Sequence, residues 1–465
     1  MPLPLRHLSR KKAALAAVAA AVTLTGVVAG TTALARSQGA SATSTADTSP
    51  ALSTAAKTST PPVDAHRATA TSHHAHHAHR AHRAHHPQRR TPTRAHAAVA
   101  HTRGIHHPAH PAARTRSAQA AITPAATATS PLAGGPWGVY RGPWDGVYPA
   151  YTSATGAAKT ALAKVALQPR VIWFASNQST SQVGTNIRNY ISGVQAGKPS
   201  TLVQLALFRI FPGSDGGEGG RNHPLTAAEQ TAYKAWMNSA ATAIGNTRAA
   251  VVLEPDLALL APPNMSGAEQ TADPAVRESL VKWAAQRLSA LPHTTVYLDC
   301  GDSDWLSVTK CVNLLSASGI QYARGFALGA THYSPVGDNI TYGAQLAGAL
   351  ATAGYPGKHF VIDTADNGRG FTWLYWHAHQ GRLGSDFDNA APCNSVTDTL
   401  CDTLGVPPTA TTWGDPRLGL SATQDAQAKS LVDGYLWFGR PWLDRQASPF
   451  DLKRTLAVAR STPYQ

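Results

Sequence analysis

Aromatic residues are missing from the start of this 465-residue chain, where no Trp, Tyr or Phe precedes Trp137. A segment without aromatic side chains cannot bury a substantial core, so no large globular unit is expected there. Acids are also scarce, because residues 1–130 hold 15 of the 40 Lys and Arg residues but only 2 of the 26 Asp and Glu residues. The formal net charge of +14 therefore belongs mainly to this segment. It gives no reason to expect a nucleic acid ligand for the rest of the chain.

The first 35 residues have the pattern of an export signal. Four basic residues precede an apolar run at 13–30, and Ala33-Leu34-Ala35 has the small-x-small form of a cleavage site. We therefore predict a signal peptide over 1–35 and a secreted protein, with retention at the cell surface as a further possibility. An uncleaved anchor is the alternative, because the apolar run is nearly long enough to span a bilayer. No other segment has that length, so no membrane contact is expected after signal removal.

Residues 36–130 are rich in Ala, Thr, Pro and His, and are predicted to form a disordered linker. Thirteen His fall between His73 and His110. We interpret them as part of a solvated linker with incidental affinity for transition metals. Adhesion to an anionic wall surface is the alternative, since protonation below about pH 6.5 adds positive charge.

Cysteines are few, and an even number in an exported chain indicates disulfides. The four are Cys300, Cys311, Cys393 and Cys401, which allow three pairings. We predict the two local pairs, Cys300–Cys311 and Cys393–Cys401. No CxxC spacing is present, so no structural zinc or other metal site is predicted.

Strand-like and helix-like runs alternate from residue 131 to the end. Predicted strands are 170–175, 201–208, 249–254, 294–299, 323–329, 358–363 and 434–438. Predicted helices include 157–167, 182–195, 226–244, 275–291, 339–353 and 422–432. This alternation indicates an α/β fold with a parallel sheet, and seven strands favour a TIM-barrel-like β/α barrel over an open sheet. No GxGxxG or GxxxxGK[ST] motif follows a strand, so no nucleotide or other cofactor is predicted.

The stretch 249–260, AAVVLEPDLALL, carries the first candidate for catalysis. Its β-branched run predicts a buried strand that ends at Glu254-Pro255-Asp256, because Pro255 cannot donate a ladder hydrogen bond. Two carboxylates then lie at the carboxyl edge of a parallel sheet, where such folds place their chemistry. An acid with apolar neighbours keeps its proton to higher pH, as a general acid must. The alternative is that Asp256 simply caps a following helix.

Further acids recur at the same predicted edge. They follow different strands: Asp215, Asp256, Asp299 with Asp302 and Asp304, Asp363, and Asp444. Tryptophans occur beside them, and Trp173 and Trp305 are the best candidates for stacking, whereas Trp437 is expected in the core. Flat aromatic faces beside carboxylates suit a carbohydrate, whose C–H groups stack while its hydroxyls bond to acids.

Six segments together resemble the glycoside hydrolase family 6 cellulases over residues 131–445. They are RVIWFAS, VVLEPDLALL, VYLDCGDSDWL, GFALGATHYSPVGDNITYG, HFVIDTADNGRG and LWFGRPWLD. The resemblance implies that 131–465 is a catalytic domain with a distorted seven-stranded barrel. It also implies hydrolysis of β-1,4-glucan, as polysaccharide or oligosaccharide, with inversion at the anomeric carbon. We expect a monomer.

The resemblance also implies roles for individual residues. Asp256 matches the proton donor, Asp215 the acid that assists it, and Asp444 falls nearest to the proposed base. Asp299 matches the Asp of the family's LDAGH motif, while Trp173 and Trp305 match sugar-stacking tryptophans. Asp302 and Asn367 are the remaining predicted substrate-binding residues.

Several positions depart from the family pattern. Ser214 stands where the family has Arg, Gly439 where it has a sugar-binding Lys, and Asp302 where it has His; Phe208 and Pro392 replace Tyr and Trp. Each lost charged donor removes about 1.5–3 kcal/mol of hydrogen bonding to sugar. An altered substrate or a weakened enzyme is therefore expected. The alternatives are a glycan-binding barrel without turnover and a wall-associated protein whose His-rich tail carries the function.

Overall fold

The computed structural model describes residues 129–213, 217, 219–261 and 271–464. The predicted signal peptide, almost all of the predicted linker and Asp215 lie outside these residues. None of the helices among these residues combines the length and the hydropathy needed to traverse a bilayer.

The described residues contain one seven-stranded sheet, in which each strand pairs in parallel with the next along the chain. The strands are β1 Ile172–Ala175, β2 Val203–Phe208, β3 Ala249–Leu253, β4 Thr294–Asp299, β5 Gly325–Leu328, β6 His359–Asp363 and β7 Val432–Leu436. The predicted parallel α/β sheet is confirmed. The last strand begins and ends two residues earlier than predicted, and Trp437 lies just beyond it in the core, as expected.

An apolar cluster shows that the sheet curls on itself. It takes buried side chains from every strand or its immediate end: Val171, Ala206, Val252, Tyr297, Ala327, Val361 and Leu436. The two edge strands do not pair with each other in the described residues, but the N–H of Val171 donates to the carbonyl of Trp437 over 2.8 Å. The predicted distorted barrel is therefore confirmed, with a single backbone hydrogen bond of this kind between its edges.

Helices cover the outside of the sheet and bury a second, larger apolar cluster against it. They are α1 Val147–Ser153, α2 Gly156–Ala166, α3 Thr180–Gln195, α4 Ala227–Ile244, α5 Pro274–Ser289, α6 Val308–Ala317, α7 Val336–Thr352, α8 Trp373–Ala378, α9 Gln380–Leu383, α10 Ala422–Leu431 and α11 Leu452–Ser461. Capping boxes begin α3, α4 and α10, each with a Ser or Thr cap and a Glu or Gln three residues later. These local signals explain why the predicted starts of these helices fall within about two residues of the observed ones.

Both predicted disulfides are present. Cys300–Cys311 joins the residue after β4 to α6, and Cys393–Cys401 closes a loop between β6 and β7. Each bridge therefore restrains a loop at the carboxyl edge of the sheet, where the candidate acids lie.

An ion pair between a buried carboxylate and a partly exposed guanidinium lies at the opposite, amino-terminal side of the sheet. Asp433, the second residue of β7, accepts hydrogen bonds from the Tyr297 hydroxyl at 2.8 Å and from Nε and Nη2 of Arg324 at 2.9 and 3.0 Å. Burial raises the pKa of Asp433, but His359 and Arg324 outweigh that effect and the pKa is lowered. The carboxylate is therefore charged and paired, and belongs to the scaffold.

Replacing Asp433 by Asn tests this structural role. We expect Asp433→Asn to lower the free energy of unfolding by about 1.5–3 kcal/mol, because Tyr297 and Arg324 lose hydrogen bonds to a charged acceptor. The matched control is Asp415→Asn, which removes an exposed pair with Arg417 and should cost less than about 1 kcal/mol. Denaturant unfolding at pH 7 measures both. The stabilisation that the Asp433 carboxylate provides in the wild type is lost as the pH falls through its lowered pKa. The difference in free energy of unfolding between wild type and Asp433→Asn should therefore shrink in strong acid. Equal effects of the two substitutions would contradict the assignment.

Candidate active site

The turn that follows β3 contains two residues in the left-handed region of backbone conformation. Glu254 has φ 54° and Asp256 has φ 69°, on either side of Pro255. Such conformations are unfavourable for residues other than Gly and persist only where the surroundings fix them. The two carboxylates end in different environments, since Glu254 is fully buried and Asp256 is partly exposed.

Glu254 is fixed by three hydrogen bonds. Its Oε2 accepts from the backbone N–H groups of Arg209 and Ile210 at 2.9 and 2.8 Å, and its Oε1 accepts from the Tyr233 hydroxyl at 2.9 Å. Burial raises the pKa of Glu254 to about 7, although all three donors act against it. The side chain ties the end of β3 to the loop after β2 and to α4, and it is closed off from any substrate.

Asp256 lies at the N-cap position of a short 3₁₀ helix, Leu257–Leu260, but its side chain makes no capping hydrogen bond. The interpretation of Asp256 as a helix cap is therefore wrong. The positive φ turns the residue away from the extended conformation that N-cap residues usually adopt. Its carboxylate is the partly exposed member of the pair and remains the candidate acid.

Asp299 ends β4 directly behind this turn. The side chain is completely buried and its Oδ2 accepts from the N–H of Gly301 at 3.1 Å. Burial raises the pKa of Asp299 to about 7, against the backbone N–H groups of Gly301, Ala258 and Asp256, which lower it. Because it faces the backbone of Asp256, Asp299 positions the turn and has no exposed surface for a ligand.

Asp302, Asp304 and His332 form a compact charged cluster on the loops after β4 and β5. Nδ1 of His332 lies 3.7 Å from Asp302 and 3.8 Å from Asp304, and the possible metal-ligand atoms of all three lie within 4.8 Å of one another. Burial lowers the pKa of His332, but the two carboxylates outweigh it and the pKa is raised. The two carboxylates therefore favour the protonated form of the His332 imidazole.

The same imidazole covers a predicted stacking platform. Its ring lies parallel to Trp305, with centroids 4.6 Å apart and planes 7° apart. One face of Trp305 is therefore occupied by a side chain, which the sequence did not predict.

Asp363 and Asp366 form a second acidic pair at the end of β6. Asp363 accepts from the N–H groups of Ala365, Phe438 and Gly439, and burial raises its pKa to about 7. Both oxygens of the buried Asp366 lack a hydrogen bond of normal geometry from the described residues, although Gln446 is near enough to lower its pKa. Burial and the neighbouring Asp363 raise that pKa well above its ordinary value.

This pair explains why Gly439 cannot be a larger residue. A Cβ atom there would lie 2.5 Å from Oδ2 of Asp363 and 2.7 Å from Oδ2 of Asp366. The space beside Gly439 is thus filled by the carboxyl groups of Asp363 and Asp366.

Arg440 lies over the other predicted platform. Its guanidinium carbon is 3.8 Å from the centroid of the Trp173 ring. Burial lowers the pKa of Arg440 to about 10, while the carboxylates of Asp256, Asp388 and Asp363 act in the opposite direction. Arg440 therefore lies within electrostatic range of the candidate acid and of two carboxylates that the sequence analysis gave no role.

The remaining predicted residues lie on neighbouring loops. Asp444 begins the 3₁₀ helix Asp444–Gln446, and its Oδ1 accepts from Nδ2 of Asn389 at 3.2 Å. Asn367 donates to the carbonyl groups of Ser334 and Asp363, both at 3.1 Å, and bridges the loops after β5 and β6. It also lines an open cavity of about 260 Å³ whose lining includes none of the predicted catalytic acids.

Comparison with known proteins places this arrangement in a family. Residues 142–438 match the family model described as glycosyl hydrolases family 6. Endoglucanase A of Cellulomonas fimi is 35% identical over 235 residues, which are 50% of this chain and 47% of that protein. Endoglucanase A of Thermobispora bispora is 29% identical over 238 residues, which are 51% and 48% of the two chains. This chain therefore spans about half the length of these two relatives.

A solved structure shows the same fold. The endoglucanase Cel6 from Mycobacterium tuberculosis, in complex with methyl-cellobiosyl-4-deoxy-4-thio-β-D-cellobioside, superposes with a TM-score of 0.53 at 26% identity. The match covers 72% of this chain and 99% of that one.

The raised pKa values predict how stability depends on pH. Glu254, Asp299, Asp363 and Asp402 are buried with pKa values of about 7. Since unfolded acids have pKa values near 4, the folded state binds more protons between about pH 4 and 7. We expect the free energy of unfolding to fall as the pH rises across this range, because the unfolded groups release their protons at a lower pH than the folded ones.

Asp299→Asn removes one of these groups and should make the decline measurably shallower. Urea unfolding at a series of pH values from 4.5 to 7.5 gives both slopes, and Asp415→Asn is the control that should leave the slope unchanged. A wild-type stability that rises over this range, or an Asp299→Asn slope equal to that of the wild type, would refute the prediction.

Proposed function

Because the chain belongs to the glycosyl hydrolases family 6, we propose that it hydrolyses β-1,4-glucosidic bonds in cellulose or a related β-glucan. The relatives named above are endoglucanases, and the solved one is in complex with a thio-linked cellobioside. The observation that carries the proposal is Asp256: a partly exposed carboxylate at the carboxyl edge of β3, in a strained turn that Glu254 and Asp299 hold in place.

The proposed reaction is a single displacement with inversion. Protonated Asp256 donates its proton to the leaving glycosidic oxygen while a water attacks the anomeric carbon from the opposite face of the sugar. A second carboxylate takes the proton of that water, and inversion needs the two groups roughly 6.5–9.5 Å apart so that the water fits between. Asp444 is the proposed base, with Asp215 as the acid that assists through a chain of water.

Two buried acids act on this reaction through position. Glu254 and Asp299 both fix the backbone of the turn, so each determines where the Asp256 carboxylate lies. A displacement of about 1 Å can cost on the order of a hundredfold in rate. Their role is therefore mechanical, and their substitution should affect stability as well as rate.

The N-terminal sequence supports export. A basic start, an apolar run and a small-x-small site are the parts of a secretory signal. We propose that the protein acts outside the cell as a monomer on polysaccharide or oligosaccharide, and that the His-rich segment serves as a linker with possible retention at the surface.

The anomeric configuration of the first product tests the proposal. On barley β-glucan or cellohexaose, the full chain should release reducing ends whose first-formed anomer is α by ¹H NMR, as inversion of a β-linkage requires. Asp256→Asn should lower the rate by roughly 10²–10⁴, the usual contribution of a general acid. Asp415→Asn is the matched control and should retain wild-type rates.

Two results would contradict the proposal. A first-formed β anomer would exclude inversion, and undiminished activity of Asp256→Asn would exclude this acid. Calorimetric binding of cellohexaose without product over days would instead favour the alternative, a glycan-binding barrel without turnover.

A further inference from the structure

Trp173 is held in place by contacts on several sides. Its Nε1 donates to the carbonyl of Phe438 over 2.8 Å, and Phe208 packs against it edge-on, with centroids 5.6 Å apart and planes at 83°. Trp173 also packs against the apolar interior of the barrel. The ring therefore cannot move aside without breaking core contacts.

Hydrogen bonds also hold the backbone of Arg440 in place. Its backbone N–H donates to Oε1 of Gln446 at 2.8 Å, and Nε2 of Gln446 donates to the carbonyl of Thr331 at 2.9 Å. The preceding residue, Gly439, donates to Asp363 and is wedged against two carboxylates. The backbone of Arg440 is therefore held in place. Its guanidinium lies over the Trp173 ring and within electrostatic range of the carboxylates of Asp256, Asp363 and Asp388.

The guanidinium carbon lies 3.8 Å from the ring centroid. A sugar stacked on the same face would place its carbon atoms at about the same distance, 3.5–4.0 Å, so the guanidinium occupies the space that the sugar would need. The two cannot occupy one face of the ring together. The planar guanidinium is stabilised by cation–π attraction to the ring and by electrostatic attraction to the neighbouring carboxylates. A neutral sugar that displaced it would make neither interaction.

We propose that Arg440 covers the stacking face of Trp173 and so prevents a glucan chain from stacking on this ring. The inference rests on the proposed function for its ligand, a β-1,4-linked gluco-oligosaccharide. Its consequence is that Trp173 contributes little to binding in the wild-type chain, and that removal of the guanidinium opens a further sugar subsite on the ring.

A double-substitution cycle on binding tests this proposal. A fully thio-linked analogue of cellohexaose, which resists hydrolysis and leaves Asp256 in place, is titrated by calorimetry into four full-length chains: the wild type, Trp173→Ala, Arg440→Ala, and the double variant. Trp173→Ala should change Kd less than about twofold while Arg440 is present. It should weaken binding roughly tenfold or more once Arg440 is Ala, the range expected of one aromatic stacking contact.

A second variant guards against a folding failure. Arg440→Gln is shorter and uncharged, and should uncover the ring in the same way; thermal unfolding confirms that each variant is folded. A tenfold loss from Trp173→Ala with Arg440 in place would overturn the proposal, since a sugar would then already stack on the ring. Equal small effects of Trp173→Ala in both backgrounds, or no binding by any variant, would overturn it too.

These outcomes are separable from the proposed function, which is judged by hydrolysis in the unmodified chain. Trp173-dependent binding that appears only without Arg440 supports the inference even if the wild type cleaves nothing. Asp256-dependent hydrolysis combined with a strong Trp173→Ala effect in the presence of Arg440 supports the function and refutes the inference.

Discussion

The buried carboxylate of Glu254 is the constraint on which the candidate site depends. Three donors from two other elements, the loop after β2 and α4, converge on it. Burying a charge-bearing group is unfavourable unless its hydrogen bonds are made, so the end of β3 has one acceptable position. That position places Glu254 and Asp256 in left-handed conformations and directs the next carboxylate to a partly exposed place. Asp299 supports the same turn from β4.

Contacts within the protein engage the basic side chains near the candidate acid. Arg454 pairs with Asp402, Arg440 lies within electrostatic range of Asp256, and His332 lies beside Asp302 and Asp304. Two of these side chains, His332 and Arg440, also cover tryptophan faces. Among the described residues, the surroundings of Asp256 are therefore rich in carboxylate acceptors, while these three basic side chains are already engaged.

The sheet and the disulfides could be predicted from the sequence because their signals are local. Strands buried on both faces give continuous apolar runs. In β7 such a run is interrupted by the second and third residues, Asp433 and Gly434, so its predicted bounds were displaced by two residues. The site was predicted less completely because its contacts are distant in sequence. Nothing local indicates which acid of Glu254-Pro255-Asp256 points inward, since Tyr233 and the Arg209 backbone decide it. Likewise, Arg440 meets Trp173 only after the barrel has closed.

The most direct test of Asp256 as proton donor uses leaving groups of different basicity. A dinitrophenolate leaves without protonation, whereas a sugar alkoxide needs a proton from the general acid. Compared with wild type, Asp256→Asn should lose roughly 10²–10⁴ in kcat/KM on cello-oligosaccharides, but less than about tenfold on a dinitrophenyl β-cello-oligosaccharide. Equal losses on both substrates would contradict the account, because Asp256 would then contribute something other than a proton.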